Sequence, residues 1–131
     1  MNEDAVWSFD RFEPGHVFGE VAIAMDAERR RRWEQIYGSA RGDGLPAGML
    51  VAAMMEAYIR AIQPRPKGNV HASQFLDFEP VALDWGQMVT FEISCRSKQE
   101  KKGRYWVEFG VVALGAGRKV MTGTIRSIWA A

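Results

Sequence analysis

The sequence predicts an α+β domain in which a curved antiparallel sheet wraps around one long central helix. Three observations carry that expectation. Residues 46–62, from Pro46 through Gly48, Met49 and Met55 to Ile62, form an apolar run at helical spacing that only Glu56 and Arg60 interrupt, and a helix apolar nearly all round must be buried on every side. From Val70 onward the apolar period changes from 3.6 to 2, as in half-buried strands. Glycine-marked turns separate those strands.

Each element has its own local warrant. Trp7, Phe9 and Phe12 are apolar anchors ahead of a turn at Glu13-Pro14-Gly15-His16, and residues 17–25 alternate as a first strand. Asp26 is suited to cap a short helix over 27–37, in which Trp33, Ile36 and Tyr37 make an apolar stripe while Arg29, Arg30, Arg31 and Arg32 face water. Residues 38–44 are a glycine-rich loop. Pro46 suits the first turn of the central helix, and Gln63-Pro64-Arg65-Pro66 stops it. Strands then follow over 70–78, 89–96, 105–112 and 119–129, with a charged hairpin at Gln99 to Gly103 and a second turn at Gly115 to Arg118.

Composition bounds the function classes. A chain of 131 residues is the size of one domain, and residues 1–131 are read as such. With 17 basic against 16 acidic residues the net charge is +1, unlike the basic footprint of a nucleic-acid binder. The longest apolar run, Ala47 to Met55, is far short of the roughly 18 residues a membrane span needs, so no membrane partner is expected. The single thiol, Cys95, cannot form an internal disulfide. Together with an acidic N-terminus that has no apolar targeting core, it fits a reducing cytoplasm.

Three segments, in this order and spacing, resemble the hotdog fold and, within it, the MaoC-like dehydratase and hydratase group. They are Phe12-Glu13-Pro14-Gly15-His16-Val17-Phe18, Leu45-Pro46-Ala47-Gly48-Met49-Leu50, and the stretch from Phe75 through Pro80-Val81 to Gln87. The resemblance implies an acyl thioester of coenzyme A or of an acyl carrier protein as substrate, with coenzyme A or phosphopantetheine as part of it and no separate cofactor or metal. It implies an Asp and a His in the loop before the central helix to move a proton. It also implies a backbone N–H at the helix start to receive the thioester oxygen as it gains charge. Finally, it implies a homodimer or higher homo-oligomer with sites at the seam that draw on both chains.

The acid/base part of the pattern is missing. Asp43 lies in the expected loop, but Gly48 stands five residues later where a His belongs, and Ala47 precedes it. The backbone donor at Gly48 carries over. Three groups are candidates for the missing chemistry. Glu56 lies eight residues past Gly48, as the helix carboxylate of hotdog thioesterases does, and is equally suited to pair with Arg60 one turn on. His71 sits in the strand after the helix. Asp43 can serve as acid/base or simply as a loop residue. Met49 and Met55, with Met54 and Met88, read as core or acyl-pocket lining. Arg65, Lys67 and Arg96, with Lys98, Lys101, Lys102 and Arg104, are candidate contacts for the phosphates of coenzyme A or for an acidic carrier protein. Dehydratase or hydratase, thioesterase through Glu56, and non-catalytic acyl-binding subunit all stay open.

Overall fold

The computed structural model describes residues 5–39 and 42–131. The acidic start of the chain and two residues of the predicted glycine-rich loop therefore lie outside the described residues. A short 3-10 turn at Phe9–Arg11 is followed by β1 (Val17–Ala24), α1 (Ala27–Tyr37), α2 (Ala47–Ala61), β2 (Val70–Phe78), β3 (Met88–Lys101), β4 (Arg104–Gly115) and β5 (Arg118–Trp129). The strands form one sheet in the order β1-β3-β4-β5-β2, with every pair antiparallel.

Two tight hairpins build the middle of the sheet. Lys102 (φ 53°) with Gly103 (φ 74°), and Ala116 (φ 53°) with Gly117 (φ 73°), each supply the two consecutive left-handed residues of a two-residue turn whose twist matches the flanking strands. The ladder therefore runs to the turn itself, Lys101 opposite Arg104 and Gly115 opposite Arg118, and these strands are longer than their alternation predicts. The residues counted as a charged hairpin from Gln99 onward are mostly strand.

One face of the sheet carries the core. Val89, Phe91, Ile93 and Cys95 of β3, Val107, Phe109, Val111 and Ala113 of β4, and Met121, Ile125 and Trp129 of β5 are buried against Met49, Leu50, Ala53, Met54, Ala57 and Tyr58 of α2. Burying such side chains contributes about 1.5–3 kcal/mol each. Gly123 lets α2 close on the sheet, since a Cβ there would meet Leu76 at 2.9 Å and Met54 at 3.6 Å.

The expectation of one long, fully enclosed helix needs correction. α2 has fifteen residues, its buried positions form a single face, and Ile59 and Arg60 are exposed. Small and apolar residues such as Ala52 and Ile59 extend the apolar spacing around the helix without being buried, so that spacing alone does not distinguish an enclosed helix from one with a solvent face. The arginine run is also not simply solvated. Arg29 bonds Glu56 and Arg30 bonds Asp43 and Glu34, while Arg31 and Arg32 pair with Glu28 at the exposed surface.

Candidate active site

The start of α2 has no side-chain cap. Pro46 is the N-cap residue and has none to offer, and the first bond to close there is Met49 N–H to Pro46 O at 3.0 Å. The first amides of a helix have no acceptor within it, so Gly48, which is exposed, presents its N–H at the positive end of the helix dipole. Beside it Gly44, Leu45, Pro46, Ala47 and Leu50 share a mostly apolar cavity of about 290 Å³ with Phe78, Val81 and Leu83. Backbone bonds from Leu45 N–H to Leu83 O (2.8 Å) and from Trp85 N–H to Asp43 O (2.8 Å) fix the walls of this cavity relative to the helix.

Trp33 explains why residue 48 is glycine. The indole of α1 lies on the Gly48 backbone, and a Cβ there would sit 2.9 Å from its ring. A histidine side chain at 48 would begin in contact with that ring, so Trp33 would have to shift for the expected imidazole to stand there.

Asp43 is engaged by an arginine and has no histidine beside it. Arg30 Nη1 donates to its carboxylate at 2.9 Å and Nη2 to the Gly42 carbonyl at 2.9 Å, which pins the loop to α1. The hydrogen bond to Asp43, followed by that to Glu34, holds the Arg30 guanidinium above its usual range. His16 packs against Trp7 and Phe18, and His71 is on β2.

Glu56 faces α1. Its carboxylate accepts from Arg29 at 3.1 Å and from Arg60 at 3.0 Å. It lines a groove of about 370 Å³ with Arg29, Arg32, Trp33, Ile36 and Met49. Both of its oxygens accept from guanidinium groups.

His71 stands on the face of β2 that looks toward α2, opposite Ser127 of β5. Its Nε2 is 3.1 Å from the Gln74 side-chain oxygen, and its ring meets the Tyr58 ring edge-on at 6.3 Å. Tyr58 and Ser127 share a buried hydroxyl–hydroxyl hydrogen bond of 2.9 Å. Burial pushes the Tyr58 phenol above its ordinary pKa. Sequence reasoning missed both residues and Trp33. Ser127 had a signal, being a hydroxyl at an inward position of β5 between Ile125 and Trp129.

The basic candidates separate. Arg65 closes the C-terminal end of α2, donating to Tyr58 O and Ile62 O at 2.9 Å each and stacking on the Tyr58 and Trp129 rings. Lys98 holds the carbonyls of Phe9 and Asp10. Lys67 is exposed in the loop after α2. Arg96 lies on the outer face of the sheet over Gly110, while Lys101, Lys102 and Arg104 join Trp106 and Arg126 around an outer groove of about 450 Å³. Met49 is buried and Met55 half-buried on α2. Among the described residues no group of three or more His, Cys, Asp or Glu is placed to hold a metal ion, and no helix is long and apolar enough to cross a membrane.

No family model and no curated protein matches the sequence. Solved structures do match the fold. The MaoC-like dehydratase from Rhodospirillum rubrum is 14% identical and aligns over 92% of this chain and 94% of its own with a TM-score of 0.72. The (R)-hydratase of A. caviae is 17% identical over 92% of this chain and 98% of its own, at 0.70. A fluoroacetyl-CoA thioesterase is 19% identical over 89% of this chain and 87% of its own, at 0.66. At these identities the likeness is one of architecture, and that architecture is the hotdog fold which the three sequence segments resemble.

Proposed function

We propose that this protein binds acyl thioesters of coenzyme A or of an acyl carrier protein, and that it hydrates the enoyl form or dehydrates the 3-hydroxyacyl form. One observation carries the reading: the first turn of α2 has no side-chain cap, and its residues Pro46 and Ala47, next to the exposed Gly48, line an apolar cavity with Leu45, Leu50, Phe78 and Leu83. A thioester oxygen placed at that amide would gain negative charge where the helix dipole favours it, and the acyl chain would lie along apolar walls. Solved neighbours of the same fold include a dehydratase and a hydratase, which supports the assignment. The protein acts as a homodimer in the cytoplasm, needs no cofactor beyond the carrier of its substrate, and uses neither nucleic acid nor membrane as partner.

Glu56 supports a second reading, thioester hydrolysis, because it borders a groove that also holds Trp33 and Met49. Its two arginine partners weigh against it as a free base. The absence of a histidine beside Asp43 favours a third, a subunit that binds acyl groups without turning them over. The test is to incubate the purified protein with enoyl- and saturated acyl-CoAs while following the conjugated double bond and free thiol in parallel. Loss of the double bond without thiol is the expected result. Thiol release that vanishes in Glu56→Ala would replace it with hydrolysis, and silence in both channels with measurable acyl-CoA binding would leave the binding subunit.

A further inference from the structure

β2 is a sheet edge with almost nothing covering it: eight of its nine residues are exposed, including Val70, Phe75 and Phe78. Phe75 at 71% exposure and Phe78 at 47% together leave on the order of 200 Å² of aromatic surface bare. A stable two-fold interface covers roughly 800 Å² on each partner. The bare aromatic surface is a part of such an area, to which the free backbone groups of the strand add, and the occupant that suits an unpaired antiparallel edge is a second copy of itself.

Two copies related by a two-fold axis pair their β2 edges antiparallel, and opposed residues in such a pair point to the same face. The residues of β2 that look toward α2 are His71, Gln74, Leu76 and Phe78, because they stand opposite Ser127, Ile125, Gly123 and Met121 of β5. A register shift between His71 and Ser73 keeps His71 in this set. Two registers pair nearly the whole strand with faces matched. They set His71 against either Leu76 or Phe78 of the partner subunit. Phe78 lines the cavity at the start of α2 with Pro46, Ala47 and Leu50. Within its own subunit His71 stands beside Tyr58, near the other end of α2 and about 16 Å of helix rise from Ala47.

We infer that His71 supplies the proton-moving imidazole to the cavity of the opposite subunit, so that each site is complete only in the dimer. This rests on the hydratase reading above. The imidazole takes a proton from water as the water oxygen bonds to C3 of the enoyl thioester. The C2–C3 π electrons move onto the thioester oxygen at the Gly48 amide, and the imidazolium then returns its proton to C2. Water is added in full, with no other reactant.

Two experiments test placement and role separately. For placement, His71→Cys is combined with Leu76→Cys or with Phe78→Cys and the protein is oxidised. One of the two double variants forms a disulfide-linked dimer, because directly opposed Cα atoms lie within disulfide reach. Neither double variant cross-linking, or His71→Cys linking to itself, overturns the seam. For role, crotonyl-CoA is the probe. His71→Ala lowers turnover at least about 100-fold while butyryl-CoA binding and dimer mass are unchanged. Mixing His71→Ala subunits with Ala47→Trp subunits, whose own cavity is blocked at an exposed position, restores about a quarter of wild-type turnover, since half the dimers are mixed and hold one intact site. No recovery places His71 in its own subunit's site and overturns the inference. Cross-linking of a double variant, where the protein with His71 intact turns over no crotonyl-CoA, overturns the catalytic role and the hydratase reading while leaving the seam in place.

Discussion

The two edge strands of the sheet are finished in opposite ways. β1 is lengthened by its own chain along the side it shares with β3: Gly15 N–H donates to Cys95 O, and Cys95 N–H to His16 O, so the ladder continues past the strand end. Trp7, Phe12 and Phe18 stack over it, with ring centroids 5.0–5.9 Å apart. Trp7 O is itself held by the Trp129 indole at 2.6 Å, which ties the N-terminal segment to the far end of β5. β2 has no such cover, and its two phenylalanines face solvent. A long apolar edge left bare costs solubility unless another strand takes it. The difference separates an edge whose flanking segment packs into the core from one that stays exposed in the single chain.

Breaking the β1 side has the largest expected effect on stability. Phe12 is fully buried among Trp7, Phe18, Phe109 and Trp129. Phe12→Ala lowers the free energy of unfolding by about 3–5 kcal/mol in a denaturant titration. Next is Tyr58, which joins α2 to the β5 strand that carries β2. Tyr58→Phe leaves the Ser127 hydroxyl buried without its partner and costs about 1–3 kcal/mol. Its pH dependence has a definite sign. Burial raises the folded-state pKa of Tyr58 above the ordinary 10.0, so the phenol ionises first in the unfolded chain. The stability linked to it is full below pH 10 and falls as pH climbs through the raised value, and unfolding followed between pH 9 and 11 loses that slope in Tyr58→Phe.

Smaller effects follow on the half-exposed side of α2. Glu56→Gln weakens the pairs to Arg29 and Arg60, and thermal unfolding shifts by no more than about 1 kcal/mol because the groups are partly solvated. Phe75→Ser has the smallest effect on unfolding of the single chain, within about 0.5 kcal/mol, because its ring covers little in one subunit. In sedimentation, however, it is expected to convert the dimer inferred above to monomer. A Phe75→Ser protein that stays dimeric would show that assembly uses another surface.

Local signals found the elements. Asp26, predicted as a cap, accepts from Arg29 N–H at 2.8 Å. The alternation of Val89 through Cys95 marks the buried face of β3. Such features depend on a few neighbouring residues and on the period of a strand or helix, so they can be read along the chain. The candidate site was legible only in part. Gly48 and Leu50 at the helix start could be named from the segment that holds them, but nothing near them in sequence indicates that Trp33 would have to shift for a histidine side chain at 48. Nor does the charge pattern show that Arg30 holds Asp43, or that Arg65 closes the end of α2 on Tyr58 and Trp129.

The amino-acid order by itself determined the elements, the face that β3, β4 and β5 bury and the absence of an acid/base pair from the loop, because period, turn chemistry and composition act within a few residues. Tertiary structure alone decided that the candidate residues divide among the helix start, the α1 groove and the β2 edge. Which side chains meet depends on how α1 and β2 pack against α2, through contacts between residues dozens of positions apart that no local pattern encodes.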